Sequence, residues 1–276
     1  MRHVKVWRLG DTAPGSPSKS RPNIDAYLNS PGALPKALSG RNCLLGSLGE
    51  HTFTCIVSIS DYEAIICSDS GAVCFLDDTE GSQKLSVVKF VAFGVTSATL
   101  DSELGVIWLG GRGRKTLKLH IDSIRAFLRH PSPPSSLTSE PGSPKGKLPT
   151  LISMAYLSTH IVTVDSTRAI HVCSVDALGS HEEQTLMQSL MPAHRDPVLG
   201  VGALKGPNTY DADFFTWSCE GSVNFWSLQG KCQGSKNVEL EQLAAGDDEA
   251  ANELKVLRVA EDLDTFISGD RHGVIR

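Results

Sequence analysis

The eleven residues Thr216-Trp217-Ser218-Cys219-Glu220-Gly221-Ser222-Val223-Asn224-Phe225-Trp226 decide how the rest of the chain is read. With Phe214 and Phe215 just ahead of them, the first part is a short strand of bulky residues. Glu220-Gly221 marks a tight turn, because glycine takes a positive φ without a Cβ clash. Ser222–Trp226 then alternates small or polar residues with large apolar ones, the period of a half-buried strand. The unit reads as a β-hairpin closed by a large aromatic.

Fainter copies of the second strand recur. His3–Trp7 matches it, as does Ala72–Leu76 after Ser68-Asp69-Ser70-Gly71. Thr116–His120 follows Gly110-Gly111-Arg112-Gly113, and Ala169–Cys173 follows Asp165-Ser166. A last copy begins at Ser268-Gly269-Asp270-Arg271-His272-Gly273 and runs into Val274-Ile275-Arg276. The closing residues Trp7, Leu76, His120, Cys173 and Trp226 lie 69, 44, 53 and 53 residues apart. Spacing of about 40–50 residues, with several short strands per repeat, is the pattern of β-propeller blades.

The phrases Ser268-Gly269-Asp270 leading to Gly273-Val274-Ile275-Arg276, and Val4-Lys5-Val6-Trp7, resemble the WD-repeat family. The resemblance implies blades whose second and third strands join through an acidic turn, here at Asp69 and Asp270, and whose third strand ends in Trp, here Trp7 and Trp226. It also implies a His ahead of the first strand in a buried hydrogen-bonded set, a place that falls to His51 and His194. The pattern is degenerate: two of five closing positions keep Trp, and Cys219-Glu220 stands where the family usually has Asp.

The reading is therefore a single all-β, WD-repeat-type propeller over residues 1–276, with five to six blades represented. Pro/Ser-rich insertions at 11–39 and 130–147 cannot bury enough apolar surface to order themselves and are read as flexible. An acidic loop is read at 242–253. The chain opens on a third strand and stops inside another, which reads as part of a ring of seven or more blades. The alternative is a small ring in which Val4–Trp7 completes the last blade. Outer strands are expected at 41–46 and 186–191, and 238–245 reads as a strand or a short helical turn. The segment 85–90 is assigned to the blade that contains 95–100. First strands are expected to be nearly continuous in apolar residues, as strands covered on both faces are.

Composition narrows function. The net charge of −5 gives no global drive toward nucleic acid or anionic membrane. Seven cysteines without CxxC spacing read as reduced, buried, small apolar residues of a cytoplasmic or nuclear protein, not as a disulfide or zinc framework. Gly110–Lys115 is rich in glycine and positive charge, yet it lacks the GxxxxGK[ST] spacing and opens a strand, not a helix. The nine histidines show no HExxH, and no GxSxG occurs. No catalytic residue, metal site or cofactor is expected. Ser16-Pro17 and Ser143-Pro144-Lys145 have the form of proline-directed phosphorylation sites, although loop chemistry alone explains them.

The resemblance implies a scaffold whose loop faces dock proteins or peptides. Arg112, Arg114, Lys115, Arg168 and Arg271 lie in the inter-strand turns and are expected to make one face locally positive, suited to acidic or phosphorylated segments. The alternative is a regulatory propeller attached to an enzyme, or to a cytoskeletal or coat assembly, lying outside this sequence.

Overall fold

The computed structural model describes residues 4–8, 39–79, 83–130, 148–176, 178, 184–185, 194–240, 251–259 and 265–276. Within them the chain forms nineteen strands in six antiparallel sheets. β1 (Lys5–Arg8) pairs with β2 (Ser39–Asn42) as blade one. Blade two contains β3 (Phe53–Ser58), β4 (Glu63–Ser68), β5 (Ala72–Asp77) and β6 (Lys84–Phe90). Blade three contains β7 (Val95–Asp101), β8 (Val106–Gly111) and β9 (Lys115–His120), and blade four contains β10 (Leu151–Leu157), β11 (His160–Asp165) and β12 (Ile170–Ser174). The short β13 (Gln184–Thr185) follows β12 in sequence but pairs back onto β9 of blade three. Blade five contains β14 (Val198–Ala203), β15 (Phe214–Ser218), β16 (Ser222–Trp226) and β17 (Cys232–Asn237). Blade six contains β18 (Leu254–Val259) and β19 (Phe266–Asp270).

There is no single core. Five apolar layers lie between six successive sheets, and the second strands of blades two to five send alternate side chains into two of them. On β4, Ala64 and Ile66 face blade one while Ile65 and Cys67 face blade three. On β8, Ile107 and Leu109 face blade two while Val106 and Trp108 face blade four. On β15, Phe214 packs toward blade four, and Phe215 and Trp217 toward blade six. Second strands are therefore buried along nearly their whole length. The first strands are not, contrary to the expectation from sequence: β3, β7, β10, β14 and β18 alternate buried and open positions. They are edge strands of their own sheets and pack side by side, blade to blade.

Edge strands carry unpaired backbone groups, and hydroxyls on the neighbouring blade satisfy several of them. Thr54 Oγ1 donates to the Val95 carbonyl at 2.6 Å, and Thr96 Oγ1 donates to that of Leu151. The backbone N–H of Tyr156 donates to Thr99 Oγ1, and that of Val201 to Ser153 Oγ. Every first strand from β3 to β18 carries a register shift at the same place, between Phe53/Cys55, Val95/Ser97, Leu151/Ser153, Val198/Gly200 and Leu254/Val256. The extra residue in such a bulge is free to turn away from its own sheet, and in β3 and β7 it is the bridging threonine. Gly200 and Gly202 lack side chains because the Trp217 and Phe215 rings lie where a Cβ would go.

Several sequence expectations need correction. The 85–90 segment closes blade two as β6 and does not open blade three. The outer strand of blade one is Ser39–Asn42, and Gly46–Glu50 is a 3-10 turn. The outer strand of blade five is Cys232–Asn237, and residues 238–240 after it lie outside any strand, while 241–245 fall outside the described residues. Residues 186–191, Ser16, Ser143, and all but the edges of the 11–39 and 130–147 insertions lie outside the described residues. So do residues 242–250 of the acidic loop, whose remaining end is not solvated throughout: Asn252 is buried. Among the described residues one α-helix occurs, α1 (Ile121–Arg129), which the sequence pattern does not predict. Its Ile121, Ile124, Phe127 and Leu128 enter the layer between blades two and three, and Arg125 Nη2 donates to Glu63 Oε2 at 2.7 Å. Val4–Trp7 does not complete blade six. β1 pairs with β2, and Ser268 and Arg276 exchange two backbone bonds of 2.9 Å, so residues 274–276 lie beside β19.

Candidate interaction face

The turns between second and third strands share one backbone frame. The N–H of Gly71, Arg168, Gly221 and Gly273 donates to the carbonyl three residues back, on Ser68, Asp165, Ser218 and Asp270. These four residues have φ values of 86°, 70°, 95° and 80°, and Arg114 holds the matching place in blade three at 56°. A left-handed arginine is uncommon, so two turns place a long cation where the others place glycine. A second bond ties each turn to the residue ahead of its own first strand: Asp69 to Thr52, Arg112 to Gly94, Ser166 to Thr150, Cys219 to Pro197 and Arg271 to Glu253. Further bonds cross between blades, from Gly113 N–H to the Pro149 carbonyl and from Leu254 N–H to that of Cys219. The five turns from blade two to blade six thus form one continuous face.

In blades two, four and six the residue ending the second strand caps its turn. Asp270 Oδ1 accepts from the N–H of His272 and Val274, while Oδ2 accepts from Asn252 and Arg276. Those bonds hold its carboxyl well below the usual range. In blade two this place belongs to Ser68, whose Oγ accepts from Ala72 N–H; Asp69 is the next residue and is exposed. In blade four it belongs to Asp165, which accepts from Thr167 N–H, Thr167 Oγ1 and Ala169 N–H and lies 3.1 Å from His171 Nε2. Burial alone would raise its carboxyl, but Thr167, His171, Ala169 and Arg114 outweigh burial and hold it at about 2.

Behind the Trp226 turn stands a complete network. Trp226 Nε1 donates to Thr216 Oγ1 at 2.9 Å, and His194 Nε2 lies 2.7 Å from the same oxygen. His194 Nδ1 lies 2.7 Å from Ser222 Oγ, which is 2.9 Å from Ser218 Oγ. Burial lowers the His194 ring to about 4 and so keeps it neutral. His51 stands ahead of β3 and meets Ser70 Oγ at 2.6 Å. In blade six Asn252, two residues ahead of β18, reaches Asp270 in the same way. Sequence reading missed it, although its offset from the strand equals that of His51.

The other closing positions are reduced. The register pairs Phe214 with Trp226, Ala64 with Leu76, Ile161 with Cys173 and Ile107 with Leu119. Leu119, not His120, therefore closes blade three; His120 is exposed and precedes α1. Trp7 is 54% exposed, with the Lys5 ammonium 4.0 Å from its ring. In blade four the equivalent of Thr216 is Thr163, which is fully buried with no partner for its hydroxyl. Cys173 stands where Trp226 would supply the N–H. A buried orphan costs free energy that a bonded group does not. We expect Thr163→Val to leave stability unchanged or slightly raised, whereas Thr216→Val should cost about 2 kcal/mol. Denaturant unfolding of both variants checks this, and equal losses would refute the assignment.

The predicted basic residues divide into two groups. Arg114 Nε donates to Asp165 Oδ2 at 2.6 Å, from the turn of blade three to that of blade four. Arg168 Nη1 donates to the Arg195 carbonyl at 2.6 Å, from blade four toward blade five. Both arginines fasten one blade to the next. Arg112 and Arg271 are exposed at matching turn positions, and Lys115 is half-buried on β9. The face is not uniformly positive. Glu220 neighbours Asp196, whose hydrogen bond and charge, with burial, raise the Glu220 carboxyl; Glu253 is held low by Lys255. Blades three and four thus present the cations, and the side toward blades five and six mixes in carboxylates. Among the described residues no cluster of His, Cys, Asp or Glu could hold a metal ion, and no helix is long and apolar enough to cross a membrane.

Comparison with solved structures matches this arrangement to the crystal structure of the WD40 β-propeller domain of Doa1. The TM-score is 0.52 at 17% sequence identity, covering 82% of this chain and 64% of that one. The fold is that of a WD40 β-propeller. This chain spans a little under two thirds of the matched domain. Because 823 solved chains match, the propeller likeness selects an architecture and not a partner. No family model matches the sequence, and no curated protein does.

Proposed function

We propose that the chain is a non-catalytic protein-interaction scaffold that docks partners on the turn face of its propeller, in the cytoplasm or nucleus. The observation that carries this reading is the common frame of the five turns. Their backbone bonds repeat from blade to blade, while the side chains they display differ at every turn. A rigid frame with variable display suits recognition. Acidic or phosphorylated segments fit the sector of blade three, where Arg112 is exposed beside the half-buried Lys115, with Arg271 further round. Arginine forks pair bidentately with carboxylate and phosphate.

The test is fluorescence anisotropy with acidic and phosphorylated peptides at two salt concentrations. Arg112→Glu with Arg271→Glu should weaken binding about tenfold or more, with thermal stability unchanged. Arg114 must be left alone, since its ion pair with Asp165 makes its loss structural. Peptide binding that ignores both the charge reversal and salt would sink the proposed specificity.

A further inference from the structure

Cys55 on β3 and Cys67 on β4 are direct cross-strand partners. Opposed side chains on antiparallel strands have Cβ atoms about 4.5–5.5 Å apart, and disulfides span Cα separations of about 4.4–6.8 Å. Both belong to the layer between blades two and three, Cys67 fully buried and Cys55 partly so. Their chemical states are divided. Beside Cys67, the Cys55 thiol lies below its ordinary value despite burial. The neighbouring Cys55 and burial push Cys67 up. Among the described pairings no other two cysteines face each other across strands, and Cys43, Cys74, Cys173 and Cys219 are all pushed up, first of all by burial.

We propose that Cys55 and Cys67 are a peroxide-sensitive dithiol pair set in the wall between blades two and three. This goes beyond the scaffold reading and does not depend on it. The Cys55 thiolate attacks one oxygen of hydrogen peroxide, the O–O bond breaks, and the departing hydroxide takes up a proton as water. Cys55 is left as a sulfenic acid. The Cys67 sulfur then attacks the Cys55 sulfur, the S–O bond breaks, and the leaving hydroxide accepts the Cys67 proton. Two thiols lose two electrons, one peroxide becomes two waters, and β3 is joined covalently to β4. A low-lying thiolate beside a resolving thiol is the arrangement such oxidation requires.

The experiment uses the full chain carrying Cys232→Ser, which removes an exposed thiol that would form intermolecular bonds. The native protein is treated with hydrogen peroxide, unfolded in excess alkylating agent and mapped as peptides without reduction. The expected result is the joint loss of two alkylated thiols and a peptide linked between Cys55 and Cys67, released by dithiothreitol. Cys55→Ser should slow peroxide consumption about tenfold or more, and Cys67→Ser should leave Cys55 trapped as a sulfenic acid by a 1,3-diketone. Should either variant fail to fold, the peptide map of the parent still decides. Full alkylation of both residues, at a peroxide dose that oxidises Cys232 in the unsubstituted chain, would overturn the proposal. Linkage of either residue to a different cysteine would do the same.

Discussion

Replacing Trp226 by alanine should lower the unfolding free energy by about 4 kcal/mol. The indole is 4% exposed and fills the layer between blades four and five, with its ring 6.5 Å from that of Phe214 and nearly parallel to it. Its removal opens a cavity and also takes the N–H away from Thr216, whose hydroxyl is fully buried. The matching replacement in blade four, Cys173→Ala, deletes one sulfur that holds no such network together, and should cost only about 1 kcal/mol. Denaturant unfolding of the two variants tests the contrast. Similar losses at both positions would mean that the degenerate blades are held as the complete one is, and that the Trp226 network is not a special source of stability.

The second large effect is expected at Asp165. Its carboxylate is fully buried, ion-paired to Arg114 and bonded to Thr167, Ala169 and His171. Asp165→Ala leaves those donors without their acceptor and should cost about 3 kcal/mol at neutral pH. The sign of the pH dependence follows from the depressed carboxyl. A group held at about 2 in the folded chain, against about 3.9 when unfolded, contributes stability above the unfolded value and loses it as pH falls through the folded one. About 2 kcal/mol of the difference between parent and variant should therefore disappear between about pH 4 and pH 2. A gap that stays constant over that window would show that the carboxylate is not the stabilising species.

The hairpins were legible in the sequence because their burial is two-sided. β4, β8, β11 and β15 sit between two apolar layers, so each reads as an apolar run followed by a turn. The outer strands were not legible. β17, Cys232–Asn237, is mostly open to solvent and carries no apolar period, and β13 is two residues long and pairs with a blade that precedes it. Helix α1 leaves a trace, Ile121, Ile124 and Phe127–Leu128, but it follows directly on β9, so its first residue reads as part of that strand and the short remainder carries too little period to stand out. The slip from Leu119 to His120 has a similar cause. In the sequence Gly113 looks like the glycine of its turn, whereas the matching position is Arg114, a residue whose left-handed backbone nothing in its type announces. The same turn explains why the basic face was only partly readable. Sequence shows that Arg114 and Arg168 are cations in turns; it does not show that each is already fastened to the next blade.

The back-pairing of Gln184 and Thr185 onto Thr116 and Lys115 bears on how the molecule is made. A nascent chain that has finished β9 must carry an unsealed rim while all of blade four is synthesised, and only then receives the piece that seals it. Blade three is in this sense finished only after blade four, and a cut placed between them would leave blade three without its outermost strand.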